Sequence, residues 1–228
     1  MAVDDIYTKS LLHFEGADAS TTFTDESGKT WSRGGNAQIN TAQYKFGGAS
    51  GLFDGVGDFI YHPGASPDTD FAFGTGDFTI DFWYYCTLVD ASTNYLYSSA
   101  DGAGTTYPTI YFNTAGKVIY GIGQAAAVIT GTTALTSAWI HIAVVRYSGN
   151  TKLYINGTQE GSTYADSNNY SVAVARPVVM ADNVAANEAK GYIDELRVSK
   201  GIARWTANFT PPTLPYGIGG QVIIWGEE

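Results

Sequence analysis

Apolar and polar residues alternate with a period of two along most of the chain, in short runs divided by clusters of glycine, asparagine, aspartate and serine. That pattern predicts strands. A clear run is Gly191–Lys200, GYIDELRVSK, in which Tyr192, Asp194, Leu196 and Val198 alternate with Ile193, Glu195, Arg197 and Ser199. Both sets contain apolar members, so neither face is plainly the wet one. The run is therefore expected inside a sheet, with a layer or loop over its outer side. Gly191 opens it and Gly201 ends it. The segment that follows, GIARWTANFTPP, is too broken by Pro211 and Pro212 to be another central strand. Its Ile202, Trp205 and Phe209 are expected to fold back as plugs over an end of the core.

The remaining elements follow in order after an N-terminal arm, residues 1–9. Ser10–Glu15 reads as a first strand, and Gln38–Ile39 and Tyr44–Phe46 lead into KFGGASGLFDGVGDFIYH. Its five glycines do not form a phosphate loop, because Lys45 precedes them and strands follow where a helix would be needed. They predict a tight hairpin between Leu52-Phe53 and Phe59-Ile60. After a crossing loop, Pro63–Thr75, comes GDFTIDFWYYC. Phe78, Ile80, Phe82 and Tyr84 are expected in the core, and Thr79, Asp81, Trp83 and Tyr85 on a half-exposed face. Tyr95–Ser98, Thr109–Asn113 and Lys117–Gly121 are short strands, and GQAAAVITGTTALTSA is weakly patterned. Trp139–Tyr147 and Thr151–Ile155 form a hairpin about Ser148-Gly149-Asn150. Val172–Ala175 and Pro177–Ala181 read as edge material. No helix has convincing apolar spacing, no repeat is evident and no domain boundary interrupts the alternation. The expected fold is all-β: one domain over residues 10–216, an antiparallel two-sheet sandwich of the Greek-key or jelly-roll kind, with a tail over 217–228.

Length and composition agree. A chain of 228 residues buries roughly 70–75% of its unfolded surface without needing staples. Aromatics at 14%, 27 glycines, sixteen tyrosines and only 15% charged residues suit strands and tight turns better than amphipathic helices. Twelve basic against 22 acidic residues give a net charge of −10, which argues against nucleic-acid binding. The lone Cys86 ends an apolar strand and reads as a buried thiol, not a nucleophile. No run approaches ~18 apolar residues, so no membrane span is expected. The first ten residues, MAVDDIYTKS, do not resemble a secretory signal. Folding in a reducing cytoplasm is expected, leaving the sequons at Asn156, Asn169 and Asn208 unused. His13, between apolar neighbours and with no partner acid legible nearby, reads as structural.

Four segments in order, KFGGASGLFDGVGDFI, FTIDFWYY, WIHIAVVRYSGNTKLYINGTQEGS and GYIDELRVSKGIARWTANFTPP, resemble the laminin G-like, concanavalin A-like jelly-roll domains of the bacterial and bacteriophage type. The likeness runs from about Leu11 to Pro212. It implies a fold that hosts lectins, hydrolases and purely structural modules alike. Hydrolases of this fold carry closely spaced acids, and a retaining pair needs its carboxyls about 5–5.5 Å apart. Asp77 and Asp81 share a face, but their Cα atoms are roughly 13 Å apart on a strand. Asp194 and Glu195 are expected on opposite faces, so no catalytic residue is assigned. The resemblance also implies one structural calcium where first and last strands meet, with Glu15 and Asp194 at the matching positions. The alternative is that Asp194 caps a loop by accepting backbone N–H bonds while Glu15 is solvated.

Two roles are consistent with these features. One is a non-enzymatic bacteriophage accessory protein on the virion surface, in capsid or tail, attached to other virion proteins through its arm, its tail or a sandwich edge. The apolar Val222, Ile223, Ile224 and Trp225 would be its attachment residues. The other is a glycan-binding module. Sugars lay their C–H faces on aromatic rings, and Asp81, Trp83, Tyr85, Tyr95, Tyr97 and Tyr107 are the candidates for that surface. The accessory role is the expectation favoured here, with a glycan-binding surface compatible with it.

Overall fold

The computed structural model describes residues 5–63, 68–99, 106–123, 126–171, 177–182 and 184–217. Its first strands are β1 (Thr8–Leu12), β2 (Ser32–Gly34), β3 (Gln38–Asn40), β4 (Ser50–Asp54) and β5 (Phe59–Tyr61). A single 3₁₀ turn, Thr69–Phe71, precedes β6 (Phe78–Cys86), β7 (Asn94–Ser98), β8 (Pro108–Phe112), β9 (Lys117–Ile122) and β10 (Ala126–Ala134). The last are β11 (Trp139–Tyr147), β12 (Asn150–Ile155), β13 (Thr158–Ala165), β14 (Val178–Val179) and β15 (Lys190–Lys200). One sheet runs β13-β12-β11-β6-β15-β4-β3, with β1 also paired to β15; the other runs β10-β9-β8-β7-β14-β5-β2. Every ladder between named strands is antiparallel.

The core lies between the sheets. Phe78, Ile80, Phe82 and Tyr84 of β6 meet Leu96, Tyr97, Ile110, Phe112 and Tyr120 from the opposite layer, and Ile193, Leu196 and Val198 of β15 join them. Buried Cys86 closes β6 and belongs to the same cluster. β15 is central, as its two-sided apolar pattern requires.

Three segments differ from the sequence expectation. β4 and β5 form no hairpin: β4 pairs with β15 and β3, while β5 pairs with β14 and β2 in the other sheet. Gly55 and Gly57 do take positive φ, 78° and 72°, but the turn they permit carries the chain from one layer to the next. Val178–Val179 is not edge material, since β14 lies between β7 and β5. Pro177 precedes the strand, so its missing N–H interrupts no ladder. The weakly patterned stretch before Trp139 contains the nine-residue β10, whose largely exposed side chains hide its strand character. Glu160 of β13 closes the seam between the sheets there. Its carboxylate accepts the Thr132 and Thr133 N–H groups at 2.6 and 3.0 Å and the Thr133 hydroxyl.

A strap formed by residues 201–217 crosses the outer face of the β6/β11/β15 sheet. Trp205 and Phe209 stack with centroids 4.0 Å apart and planes 6° from parallel, and they pack on Ala143, Val145 and Tyr154. These plugs therefore cover a face, not an end of the core. Gly157 admits the strap closely: a Cβ there would fall 1.9 Å from the Phe209 carbonyl oxygen.

Candidate functional site

Strand register sets three rows of side chains side by side on the strap-bearing face. Ala143, Asp81 and Arg197 form one row; His141, Trp83 and Asp194 form the next; Trp139, Tyr85, Tyr192, Leu52 and Gln38 form the third. The strap seals the first row. Arg197 donates to Asp81 from Nε and from a terminal nitrogen, each at 3.2 Å, and the Tyr216 hydroxyl also donates to Asp81. The Tyr216 ring lies 3.7 Å from the Arg197 guanidinium carbon. Burial alone would raise the Asp81 pKa, but the Arg197 charge and its hydrogen-bond partners outweigh it and hold the carboxyl at about 2.

The second row is covered from the loop before β4. Lys45 Nζ sits 4.0 Å from the Trp83 ring centroid, and Phe46 meets the same indole edge-on. His141, also fully buried, is pushed by desolvation toward its neutral form. The third row stays half-exposed along its whole length. Tyr85 packs edge-on against both Trp139 and Tyr192, with centroids 5.7 and 6.0 Å away. Five strands at the usual spacing give a row about 19 Å long, apolar at its centre and amide-bearing at Gln38.

The residues proposed from sequence are distributed unequally. Only Tyr85 belongs to the open row. Asp81 and Trp83 share its sheet face but are 0% and 5% exposed, because the strap, Lys45 and Phe46 lie over them; they are corrected from a half-exposed surface to a covered one. Tyr97 is in the core between the sheets. Tyr95 lies on the other sheet's outer face beside Tyr111, and Tyr107 is buried as well. Trp139 and Tyr192 were not proposed: alternation shows that each has a face, but not that register aligns them with Tyr85. Val222, Ile223, Ile224 and Trp225 lie outside the described residues.

Glu195 has φ +52° at a break in the β15 register between Asp194 and Arg197. This bulge overturns the expectation that Asp194 and Glu195 point apart, because both acids now serve the strap-bearing face. Asp194 Oδ2 accepts the Lys45 and Phe46 N–H groups at 2.8 and 3.1 Å, and Glu15 accepts Gly48 N–H at 3.1 Å. Burial, with the Glu195 and Glu15 charges added, pushes Asp194 up to about 8 against those two N–H bonds. Glu195 accepts Tyr216 N–H at 2.7 Å and meets His13 Nδ1 at 2.7 Å. His13 thus has the acid partner that the sequence did not reveal, from 182 residues away.

Calcium requires six to eight oxygens with lone pairs directed at the ion. At Glu15 and Asp194, backbone N–H groups already occupy carboxylate oxygens, and among the described residues no three acid, histidine or cysteine side chains converge as a metal site. Asp194 Oδ1 is buried without a hydrogen-bond partner among the described residues, while Oδ2, with Glu15, clamps the loop before β4. No helix among the described residues is long and apolar enough to cross a membrane.

Two antiparallel layers in this strand order define a concanavalin A-like jelly-roll sandwich. The chain belongs to the concanavalin A-like lectin/glucanases superfamily, whose laminin G-like family model matches residues 54–204. Among solved structures it is similar to domain 4 of AbnA, a GH43 extracellular arabinanase from Geobacillus stearothermophilus solved with arabinotriose. That likeness has a TM-score of 0.64 and 18% identity, covering 86% of this chain and 94% of that one. The binding domain of Paraclostridial Mosquitocidal Protein 1 gives a TM-score of 0.63 at 14% identity, over 86% of this chain and 49% of that one. Botulinum neurotoxin type C, whose cell entry depends on two ganglioside molecules, gives 0.60 at 14%, over 86% and 48%. The chain thus spans about half the length of those two toxin chains. No curated protein matches the sequence.

Proposed function

We propose that this domain is a non-catalytic, lectin-like module that binds carbohydrate across Trp139, Tyr85 and Tyr192. The observation that carries this reading is the aromatic row itself. It is half-exposed and in register beside two rows that are sealed, and it offers ring surfaces to sugar C–H groups. No hydrogen bond within the protein engages the Tyr85 or Tyr192 hydroxyl among the described residues, which leaves both for sugar hydroxyls. The similar arabinanase domain solved with arabinotriose supports sugar as the ligand class. A binding role without turnover is favoured because Asp194 and Glu195, though on one face, are committed to loop and strap N–H groups. The test is affinity electrophoresis and calorimetry against a panel of soluble polysaccharides. Saturable binding that Trp139→Ala and Tyr192→Ala each weaken at least about tenfold, roughly the loss of one stacking contact, is the expected result. No saturable binding to any glycan overturns the reading.

An accessory role on a bacteriophage particle is the second reading. What supports it is the sequence resemblance to phage-type domains and the apolar run Val222–Trp225, with Thr8 and Tyr216 both anchored on β15, at Ser199 and Glu195. Particles lacking the protein would regain it on mixing, and deleting residues 221–228 would weaken that recovery; failure to regain it removes this reading.

A further inference from the structure

The charged groups around the open row narrow the kind of sugar it accepts. In a chain of net charge −10, unneutralised cations are scarce. Among the described residues, five lysines and arginines pair with carboxylates and three more donate to backbone carbonyls. Lys45, Lys117 and Lys190 do neither. Two of these three border the row. Lys190 stands two positions before Tyr192 on β15 and is exposed. Lys45 is half-buried over Trp83, one row to the other side, with its ammonium held by the indole face.

The acids close to these lysines make their hydrogen bonds elsewhere, although the Asp194 charge still acts on Lys45. Asp54, across from Lys190 on β4, accepts the Val56 N–H at 2.7 Å. Asp194 directs Oδ2 at the Lys45 and Phe46 backbone N–H groups, Glu15 bonds Gly48 N–H, and Glu195 is shared by His13 and Tyr216. Two ammonium groups without hydrogen-bonded carboxylates therefore bracket an aromatic platform. The Trp83 ring attracts the Lys45 ammonium, 4.0 Å from its centroid, without taking up its N–H groups as a carboxylate would, and a pyranose carboxylate lying on the platform can accept from them.

We propose that the row selects anionic glycans: uronic-acid-type sugars stacked on Trp139, Tyr85 and Tyr192, with carboxylates met by Lys45 on one side of the row and by Lys190 on the other. This rests on the carbohydrate-binding reading and adds the charge of the ligand to it. The attraction is local, since the negative field of the rest of the chain repels polyanions elsewhere; Lys45 and Lys190 thereby determine where such a polymer docks.

Calorimetry of the full chain with polygalacturonate, alginate and hyaluronate, each compared with its methyl ester, tests this. The expected result is that at least one acid polymer binds about tenfold or more tightly than its ester. The Lys45→Met/Lys190→Met variant, whose methionine at 45 keeps an apolar stem on Trp83, should erase that preference while retaining ester binding. Lys45→Arg/Lys190→Arg should restore it. Equal affinity for acid and ester, with Tyr192→Ala still abolishing both, overturns the anionic selectivity and leaves the carbohydrate platform standing. Binding confined to neutral polysaccharides overturns it equally. No saturable binding to acid, ester or neutral polymers removes both readings.

Discussion

The Asp81–Arg197 pair is buried between the β6/β15 ladder and the strap, and its removal should be costly in a way that depends on which partner is lost. Despite its burial, Asp81 is held at about 2 in the fold against an ordinary 3.8 by the Arg197 charge and its hydrogen-bond partners, a difference on the order of 2 kcal/mol of stability. Because the folded value is the lower one, that contribution is present in full above about pH 4 and fades as the pH falls through 2. Asp81→Asn keeps the shape but removes the carboxylate charge to which buried Arg197, 4% exposed, donates twice. The cost at pH 7 should be about 3–5 kcal/mol, more than the linkage figure, because a buried ion pair is broken from one side. Asp81→Leu combined with Arg197→Met removes both charges and should cost less than Asp81→Asn alone. Urea unfolding followed by tryptophan fluorescence at pH 7 and pH 3 measures all three proteins. The wild type should lose part of its advantage over Asp81→Asn at the lower pH. An Asp81→Asn cost below about 1 kcal/mol at pH 7, or one that does not shrink at pH 3, would refute the assignment of Asp81 as the charged anchor beneath the strap.

At the β10/β13 seam, Glu160→Ala strands the Thr132 and Thr133 N–H groups and should destabilise by about 1–3 kcal/mol, with Glu160→Gln recovering part of the loss. Amide exchange at Thr132 and Thr133 should rise in the alanine variant, and unchanged exchange would contradict the seam's role. Calcium should leave thermal unfolding unchanged, because a site filled at a thousandfold excess over its Kd would add about 4 kcal/mol; a calcium-dependent rise that Asp194→Asn abolishes would show that Glu15 and Asp194 rearrange to hold the ion.

The sandwich was legible in the sequence because β6, β11, β12 and β15 carry their alternation over six residues or more, between marked turns. The inner set on β6 was read correctly, since Phe78, Ile80, Phe82 and Tyr84 have no polar competitor. The outer set was placed on the right face but in the wrong environment: nothing local to Asp81 or Trp83 tells that residues 45, 46 and 201–217 settle on them. Long-range cover of that kind is invisible to a period-two pattern. The Glu195 bulge was equally hidden, because a non-glycine residue at positive φ leaves no compositional mark, and it reversed the relation of two adjacent acids. Glycines at 55 and 57 mark a turn but not which strand receives the chain afterwards. His13 and Glu195 illustrate the same limit: a hydrogen bond closing 182 residues of sequence has no local signature.

The strap also bears on where this domain can be cut. The residues matched by the family model end at Arg204 and begin at Asp54, yet Phe209 and Tyr216 lie beyond one boundary and β1, β3 and nearly all of β4 precede the other. An expression fragment trimmed to those limits would strip the greasy patch at Ala143, Val145 and Tyr154 of much of its cover and open the flank of β15 to foreign strands. Such a fragment should precipitate or self-associate, so grafts of this module onto other proteins need to carry residues 5–217 intact.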